Sequence, residues 1–136
     1  MTSKSKFLSD ILAPVSLGEL IDKITILEIK QIHMTGIKLK NVNKELKLLK
    51  KILQDKNLQV DIDFINNLKE VNNKLWEIED NIRLKESNQQ FDEEFIQLAR
   101  SVYKENDKRA AIKQEINEKY NSELVEEKFY MNYQGN

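Results

Sequence analysis

The sequence contains no cysteine, one histidine, one proline and three glycines among its 136 residues. Without cysteine the chain can form no disulfide, no thiolate metal site and no cysteine nucleophile. The single histidine, His33, argues against a histidine-based metal site or a Ser/His catalytic triad. A β-rich fold needs turn residues about every 8–12 positions, so the scarcity of glycine and proline argues against that class as well.

The sequence also lacks long apolar runs and an excess of one charge sign. No run approaches the roughly 18 apolar residues that a membrane span needs. Charged residues make up 33% of the chain but the net charge is −1, so no overall field favours nucleic acid or an acidic membrane. Lysines cluster between residues 38 and 56, but no aromatic accompanies them, which is typical of a solvated helix face. We therefore expect a cytoplasmic protein with no membrane span and no nucleic-acid partner.

The abundant residues are those that favour or tolerate helix, chiefly Lys, Glu, Leu and Ile. Apolar residues recur at three- and four-residue spacing in four stretches, which predicts helices at about 17–34, 38–54, 62–86 and 93–120. Short connections favour antiparallel neighbours. The predicted fold is all-α: one domain, residues 1–136, forming an antiparallel bundle of about four helices with coiled-coil-like apolar seams.

The helix ends and the two termini carry their own signals. Ser16 and Glu19 form a capping-box pattern, in which the Glu19 side chain reaches back to the start of the first helix. Asp61 or Asp63 and then Asp92 are candidate N-caps of the third and fourth helices. We expect a short N-terminal leader with one amphipathic turn, built on Phe7, Leu8, Ile11 and Leu12. We also expect a C-terminal tail that docks through its apolar residues, which are Leu124, Val125, Phe129, Tyr130 and Tyr133.

Several polar residues fall on helix faces that the apolar pattern assigns to the core. The first helix contributes one residue, the third four and the fourth three; they are Glu28, Asn72, Trp76, Glu79, Arg83, Asn106, Arg109 and Lys113. A buried charge without a partner costs several kcal/mol, so these groups should find one another or a ligand. We take these eight residues as ligand-binding candidates and assign no catalytic residue, no metal ligand and no cofactor.

Two interpretations of this cluster remain open. In one, the cluster lines a pocket between helices, where bundles usually place ligand sites, and Arg83 and Arg109 bind a carboxylate or phosphate. In the other, Glu28 and Glu79 neutralise the two arginines in a closed network that binds nothing. A match of Glu77 and Asp80 to half of the metal motif of all-α pyrophosphohydrolases is incomplete, because the preceding helix lacks the other half.

Four stretches of the chain resemble the signatures of a bacterial family of small helical proteins with no assigned function. They are PVSLGELIDKITILEIK at 14–30, LWEIEDNIR at 75–83, ARSVYKENDKRAAIK at 99–113 and LVEEK at 124–128. The resemblance implies no catalytic assignment. Members of such families occur near glycosyltransferases and other surface-polysaccharide genes, which implies a link to that chemistry.

Three hypotheses follow for the function. The first is a non-enzymatic accessory or binding protein, whose polar pocket holds an anionic small molecule or a protein partner. The second is an enzyme acting on a phosphorylated or carboxylated small molecule, with Glu28 or Glu79 as general base and Arg83 or Arg109 as clamp. It requires a pocket of roughly 300 Å³ or more lined by those side chains. The third is a structural module that forms a homodimer through the seams of the second and third helices.

Overall fold

The computed structural model describes residues 8–131 and contains four α-helices. They are α1 (Leu17–His33), α2 (Gly36–Asp55), α3 (Ile62–Ser87) and α4 (Glu93–Lys119). The predicted all-α bundle is confirmed, and the observed helix ends lie within two residues of the predicted ones. Among residues 8–131, no helix is both long and apolar enough to cross a lipid bilayer.

Three of the helices begin at the predicted caps. Ser16 accepts a hydrogen bond from the backbone N–H of Glu19 at 3.1 Å, Asp61 accepts one from Asp63, and Asp92 accepts one from Phe95. The prediction that the Glu19 side chain reaches back to the start of α1 is wrong, because its carboxylate accepts a hydrogen bond from the ammonium group of Lys113 on α4 instead. A side chain expected to serve its own helix therefore joins two helices.

Contacts along the helices give their relative directions. On α3 and α4, Phe64 packs against Tyr120 at one end, and Lys85 pairs with Asp92 at the other, so these helices are antiparallel. On α1 and α4, Gly18 contacts Asn117, and Asp22 contacts Arg109, again in opposite order along the two helices. Helix α1 is parallel to α3, since Asp22 contacts Asn72 near its start and His33 contacts Trp76 at its end.

Helix α1 lies at the centre of the molecule. Its sequence is apolar nearly all round, and accordingly it contacts each of the other three helices. Helices α3 and α4 also pack closely on each other, whereas α2 makes close backbone contacts with α1 alone over the described residues. The bundle is therefore a three-helix group with α2 attached to one side of α1.

Two apolar clusters hold this arrangement together. Residues of α1 and α2 form the first, which comprises Leu20, Ile24, Leu27, Val42 and Leu46. The second joins α1, α3 and α4 through Ile21, Leu68 and Ile116. The apolar seam of α2, which suggested dimerisation, thus packs against α1 of the same chain.

The two terminal segments differ from expectation. Residues 8–16 contain no helical turn, and Leu8, Ile11 and Leu12 are each more than four-fifths exposed. The tail is attached by polar groups: the Ser122 hydroxyl accepts from the N–H of Leu17, and Glu126 pairs with Lys113. Its apolar residues do not dock it, since Leu124 and Val125 are exposed and Phe129 is fully so. Phe7 and Tyr133 lie outside the described residues.

Candidate functional site

A buried carboxylate lies where α1, α3 and α4 meet. Asp22 is 0% exposed. Its Oδ1 accepts a hydrogen bond from Asn72 Nδ2 at 2.8 Å, and its Oδ2 accepts one from Arg109 Nε at 3.1 Å. An unpaired buried carboxylate would be costly, so these two donors are what make burial of Asp22 tolerable.

The Thr25 hydroxyl completes this network. It donates to the backbone carbonyl of Asp22 at 2.7 Å and accepts from Asn72 Nδ2 at 3.0 Å. The two N–H groups of the Asn72 amide are therefore both used, one on Asp22 and one on Thr25. This fixes the orientation of the Asn72 side chain.

A second charged centre, around Lys113, lies one turn further along α4. The Lys113 ammonium is 2.6 Å from Glu19, 2.9 Å from Glu126 and 3.9 Å from Asp22. Burial is the largest single influence on the pKa of Lys113 and would lower it. The hydrogen bonds to Glu19 and Glu126 and the charge of Asp22 together outweigh burial, so the pKa lies above its ordinary value. The hydrogen bond from Lys113 in turn lowers the pKa of Glu126.

The spacing on α4 explains why these groups meet α1. Residues four apart share a helix face, and the inward face of α4 carries polar groups at that spacing, namely Glu105, Arg109, Lys113 and Asn117. Asn117 Oδ1 accepts a hydrogen bond from the N–H of Gly18 at 2.7 Å, which satisfies a free donor of the first turn of α1. A Cβ atom at Gly18 would lie 2.5 Å from the Lys113 carbonyl oxygen, so the two backbones approach closely because residue 18 is glycine.

Arg109 separates two clefts on the surface. Its Nε bonds Asp22 and its Nη1 lies 3.4 Å from Asn106 Oδ1, while the side chain stays 29% exposed. A guanidinium carries five N–H donors. Within residues 8–131, three of them therefore remain for a ligand or water, and Arg109 lines both clefts.

The first cleft lies between α1, α3 and Arg109, and we call it the Trp76 cleft. Its volume is about 420 Å³. Ile26, Ile29 and Leu75 provide an apolar wall, and the polar lining consists of Asn72, Trp76, Glu79, Asp80, Arg83 and Arg109. The Trp76 indole is stacked on the His33 imidazole, with ring centroids 4.6 Å apart and planes 16° from parallel. One ring supports the other, so Trp76 can present a fixed aromatic surface to the cleft.

The second cleft lies between α4 and the C-terminal tail, and we call it the tail cleft. Its volume is about 1020 Å³. Asn106, Arg109 and Lys113 of α4 line it together with Lys128, Tyr130 and Met131 of the tail. The second cleft is therefore closed by residues that follow the helices in sequence.

The structure brings together most of the predicted residues, in two groups that meet at Arg109. Five of them line the Trp76 cleft, namely Asn72, Trp76, Glu79, Arg83 and Arg109. Three line the tail cleft, namely Asn106, Arg109 and Lys113. The cleft volume required by the enzyme hypothesis is present, although what the clefts bind stays a prediction.

Glu28 does not belong to either group. Its carboxylate pairs with Lys50 of α2 at 3.2 Å and with Lys69 of α3 at 3.1 Å, and it lines neither cleft. The expected pairing of Glu28 with the arginines is therefore wrong, because lysines on two neighbouring helices are closer. We therefore drop Glu28 as a candidate ligand-binding residue and as a candidate general base.

Glu79 and Arg83 do pair, but at the surface. Arg83 Nε lies 3.6 Å from Glu79 Oε2, and their side chains are 80% and 50% exposed respectively. The expectation that these residues lie in the core is wrong, since they line the rim of the Trp76 cleft. An exposed pair of this kind contributes little to stability and leaves both groups available to a ligand.

Sequence reasoning missed the acidic partners of the predicted basic residues. Arg109 pairs with Asp22, and Lys113 pairs with Glu19 and Glu126. A further acid, Glu105, is buried on α4 beside Lys74 and Lys108. A signal for Asp22 was present, because Gly18, Asp22, Thr25 and Ile29 share one face of α1. No such periodicity marks Glu126, which lies outside the helices.

Comparison with known proteins places the chain in one family. The profile of the family of unknown function DUF6165 matches residues 12–134, so the chain belongs to that family. This confirms the resemblance to an uncharacterised family that the sequence signatures indicated. No curated protein and no solved structure matches the chain.

Proposed function

We propose that this protein is a non-enzymatic, cytoplasmic binding protein whose Trp76 cleft holds an anionic small molecule. The observation that carries the proposal is the state of Arg109. Its Nε is held by the buried Asp22 and its Nη1 lies 3.4 Å from Asn106, while Arg109 also lines the Trp76 cleft and has three donors unused within residues 8–131. Arginine fixed in this way is pre-organised for a phosphate or carboxylate, which it can bind through two parallel hydrogen bonds.

The remaining lining supports a ligand that is more than a bare anion. Arg83 adds a second positive charge at the rim, and the carboxylates of Glu79 and Asp80 accept hydrogen bonds from hydroxyl groups. Trp76 and the apolar wall suit a flat or C–H-rich face. This combination fits a sugar phosphate or a nucleotide sugar, which also agrees with the link to surface polysaccharide that the family resemblance implies.

The test is a thermal-shift and fluorescence titration with inorganic phosphate, glucose 1-phosphate and UDP-glucose. A ligand at a hundred times its Kd should stabilise the protein by about 2.7 kcal/mol. Trp76 is the only tryptophan, so its fluorescence reports directly on this cleft. We expect glucose 1-phosphate or UDP-glucose to raise the Tm and change the Trp76 emission with the same midpoint.

Arg83→Gln is the informative variant, and Arg100→Gln is its matched control. Arg83 is 80% exposed, so its loss should leave folding intact, whereas removing Arg109 takes from the buried Asp22 its closest cation. Arg100 is also exposed on α4 and lines neither cleft. The proposal requires that Arg83→Gln weakens binding and Arg100→Gln does not; equal affinities in the two variants would contradict it.

An enzyme remains the second candidate, because Glu79 and Arg109 line the same cleft, as a general base and an anion clamp would. Phosphorus NMR of the same mixtures separates the two candidates. We expect the spectra of glucose 1-phosphate and UDP-glucose to stay unchanged over a day with protein present. New signals that depend on Glu79 would establish turnover instead.

Homodimer formation stays a separate prediction, which light scattering over a concentration series tests.

A further inference from the structure

The tail cleft has features that the proposed function does not use. Residues 122–131 leave the end of α4 and pass back beside it, from a hydrogen bond at Leu17 to lining positions next to Val102 and Tyr103. This cleft is more than twice the volume of the Trp76 cleft. The polar contacts that attach this wall to the helices include those of Ser122 with Leu17 and of Glu126 with Lys113.

Positive charges converge on one carboxylate at this wall. Glu126 Oε1 is 2.9 Å from Lys113 Nζ and 3.9 Å from Lys128 Nζ. The pKa of Glu126 is lowered first by its hydrogen bond with Lys113 and further by the charges of Lys128 and Arg109. Three cations from α4 and the tail thus act on a single anionic group, and all three line the tail cleft.

The Glu126 carboxylate reaches Lys113 from the opposite side of the tail. It lines a smaller depression of about 340 Å³, whereas Arg109 lines the tail cleft, and Lys113 and Lys128 border both. The Glu126 side chain is 39% exposed and belongs to a segment without helical structure. Such a group can leave its partner at lower cost than Glu19, which is fixed in the first turn of α1.

Besides its three cations, the tail cleft is lined by the polar Asn106 and Asp107 and by apolar and aromatic residues. Val102 and Ala110 of α4 face Tyr130 and Met131 of the tail, and Tyr103 also lines the cleft. Tyr130 and Met131 are largely exposed, so covering them with a ligand would bury apolar surface that now faces water.

We propose that the tail cleft is a second binding site, for a phosphate or carboxylate attached to an apolar or aromatic body. The anionic group of the ligand replaces Glu126 at Lys113, between Arg109 and Lys128, and the body lies against Val102, Tyr130 and Met131. Glu126 holds Lys113 from the opposite side of the tail and competes with the ligand for its ammonium group. The site goes beyond the proposed function, because Arg109 is the one residue of the described part of the chain that lines both clefts.

The first experiment is an NMR titration of the isotope-labelled protein with phenyl phosphate, inorganic phosphate and phenol. Phenyl phosphate should shift the amide signals of Ala110, Lys113 and residues 128–131 with one common Kd. It should bind about tenfold more tightly than inorganic phosphate, because only phenyl phosphate buries the apolar wall. The indole N–H signal of Trp76 reports the other cleft in the same spectra.

Glu126→Gln and Glu127→Gln form the matched pair, since each removes one negative charge from neighbouring tail positions. Without its charge, residue 126 competes poorly for Lys113, so Glu126→Gln should bind phenyl phosphate about tenfold more tightly than wild type. Glu127→Gln should change the affinity by less than about twofold, as an exposed charge does. Lys128→Gln should weaken binding.

Three results would overturn this proposal. The first is the absence of saturable shifts around Lys113 and the tail. The second is equal affinity of Glu126→Gln and Glu127→Gln for phenyl phosphate. The third is equal affinity of the wild type for phenyl phosphate and inorganic phosphate. Shifts confined to the Trp76 indole would assign phenyl phosphate to the Trp76 cleft and reject the second site alone. Arg83→Gln keeps the outcomes separate, because it should leave tail-cleft binding unchanged while it weakens binding in the Trp76 cleft.

Discussion

Helix α1 makes two very different contacts with its neighbours. Against α2 it presents Leu20, Ile24 and Leu27, which pack on Val42 and Leu46 without a buried charge among them. Against α4 it presents Gly18, Asp22 and Glu19, which contact polar or charged groups. Both contacts bury one side of the same helix, but by different physical means.

The two contacts differ in how much net stability each is expected to contribute. An apolar contact gains roughly 25 cal/mol for each Å² buried and tolerates small shifts. A buried ion pair gains little net stability over an apolar pair of the same shape and requires fixed geometry. The polar contact of α1 with α4 is therefore better explained by what it positions, namely Arg109 between the two clefts, than by stability.

The largest effect is expected from Asp22→Asn, which breaks the polar contact while keeping its shape. Arg109 and Lys113 would then keep their charges next to a neutral amide. Removing one member of a buried pair costs about 3–5 kcal/mol, and the partial exposure of Arg109 places the expected loss near 3 kcal/mol. Urea unfolding at pH 7 measures it. The double variant Asp22→Leu with Arg109→Met should recover much of the loss; a double variant less stable than Asp22→Asn would show that the pair itself stabilises the fold.

On the apolar side, the corresponding change is Leu46→Ala. Leu46 is buried between α1 and α2, and truncation of a buried leucine costs about 2–5 kcal/mol through lost burial and a residual cavity. Because α2 contacts mainly α1, the surroundings can relax into the space, so we expect a value near the lower limit. The same urea titration measures this loss, and Leu48→Ala on the exposed side of α2 is the control. A ligand Kd in the Trp76 cleft that changed in Leu46→Ala would show that the two contacts are coupled.

Gly18→Ala tests how close the polar contact must be. The added methyl group would lie 2.5 Å from the Lys113 carbonyl oxygen, which is backbone and cannot rotate away. The helices must separate slightly, and overpacking of this kind costs about 1–3 kcal/mol. Alanine normally stabilises a helix relative to glycine by up to about 1 kcal/mol. A higher Tm for Gly18→Ala would therefore show that the helices approach less closely than described.

The smallest effect concerns the tail, through the pair of Glu126 with Lys113. The Glu126 pKa is lowered from 4.5, so the stability it contributes is fully present above about pH 4.5 and is lost as the pH falls through the lowered value. The Lys113 pKa is raised from 10.5, so its contribution is present below that pH and is lost as the pH rises through the raised value. Glu126→Gln should cost about 0.5–1 kcal/mol near pH 7, since Glu126 is partly exposed. Its urea midpoint should converge with that of wild type in acid; a constant difference down to pH 2 would mean that the charge is irrelevant.

Local patterns in the sequence were sufficient to predict the helices. Apolar spacing and caps such as Ser16 and Asp92 act within one turn, so the four helices and their ends follow from neighbours in sequence. The prediction of Arg109 and Lys113 as inward-facing residues rests on the same periodicity. Such reasoning works where the determining contacts are local.

The partners of these groups depend on which helices meet, and periodicity does not contain that information. The apolar pattern selected Glu28 and not Asp22, but Glu28 faces the lysines of α2 and α3, whereas Asp22 faces Arg109. Which acid pairs with Arg109 depends on α2 packing beside α1 and away from α4. The tail was misjudged for a related reason, since its apolar composition suggested docking while the actual attachments are Ser122 and Glu126.

The position of α2 beside α1 also affects how the protein opens in solution. Among the described residues, the close backbone contacts of α2 are with α1 alone, although Leu53 also packs on the cluster of Ile21, Leu68 and Ile116. Such a helix can detach while α1, α3 and α4 stay assembled, so the molecule should contain two cooperative unfolding units. Amide hydrogens in the middle of α2 should then exchange with solvent at a lower free energy than those around Ile21, Leu68 and Ile116. Such partial opening would expose the apolar face of α1 for brief periods while both clefts, which α2 does not line, remain formed.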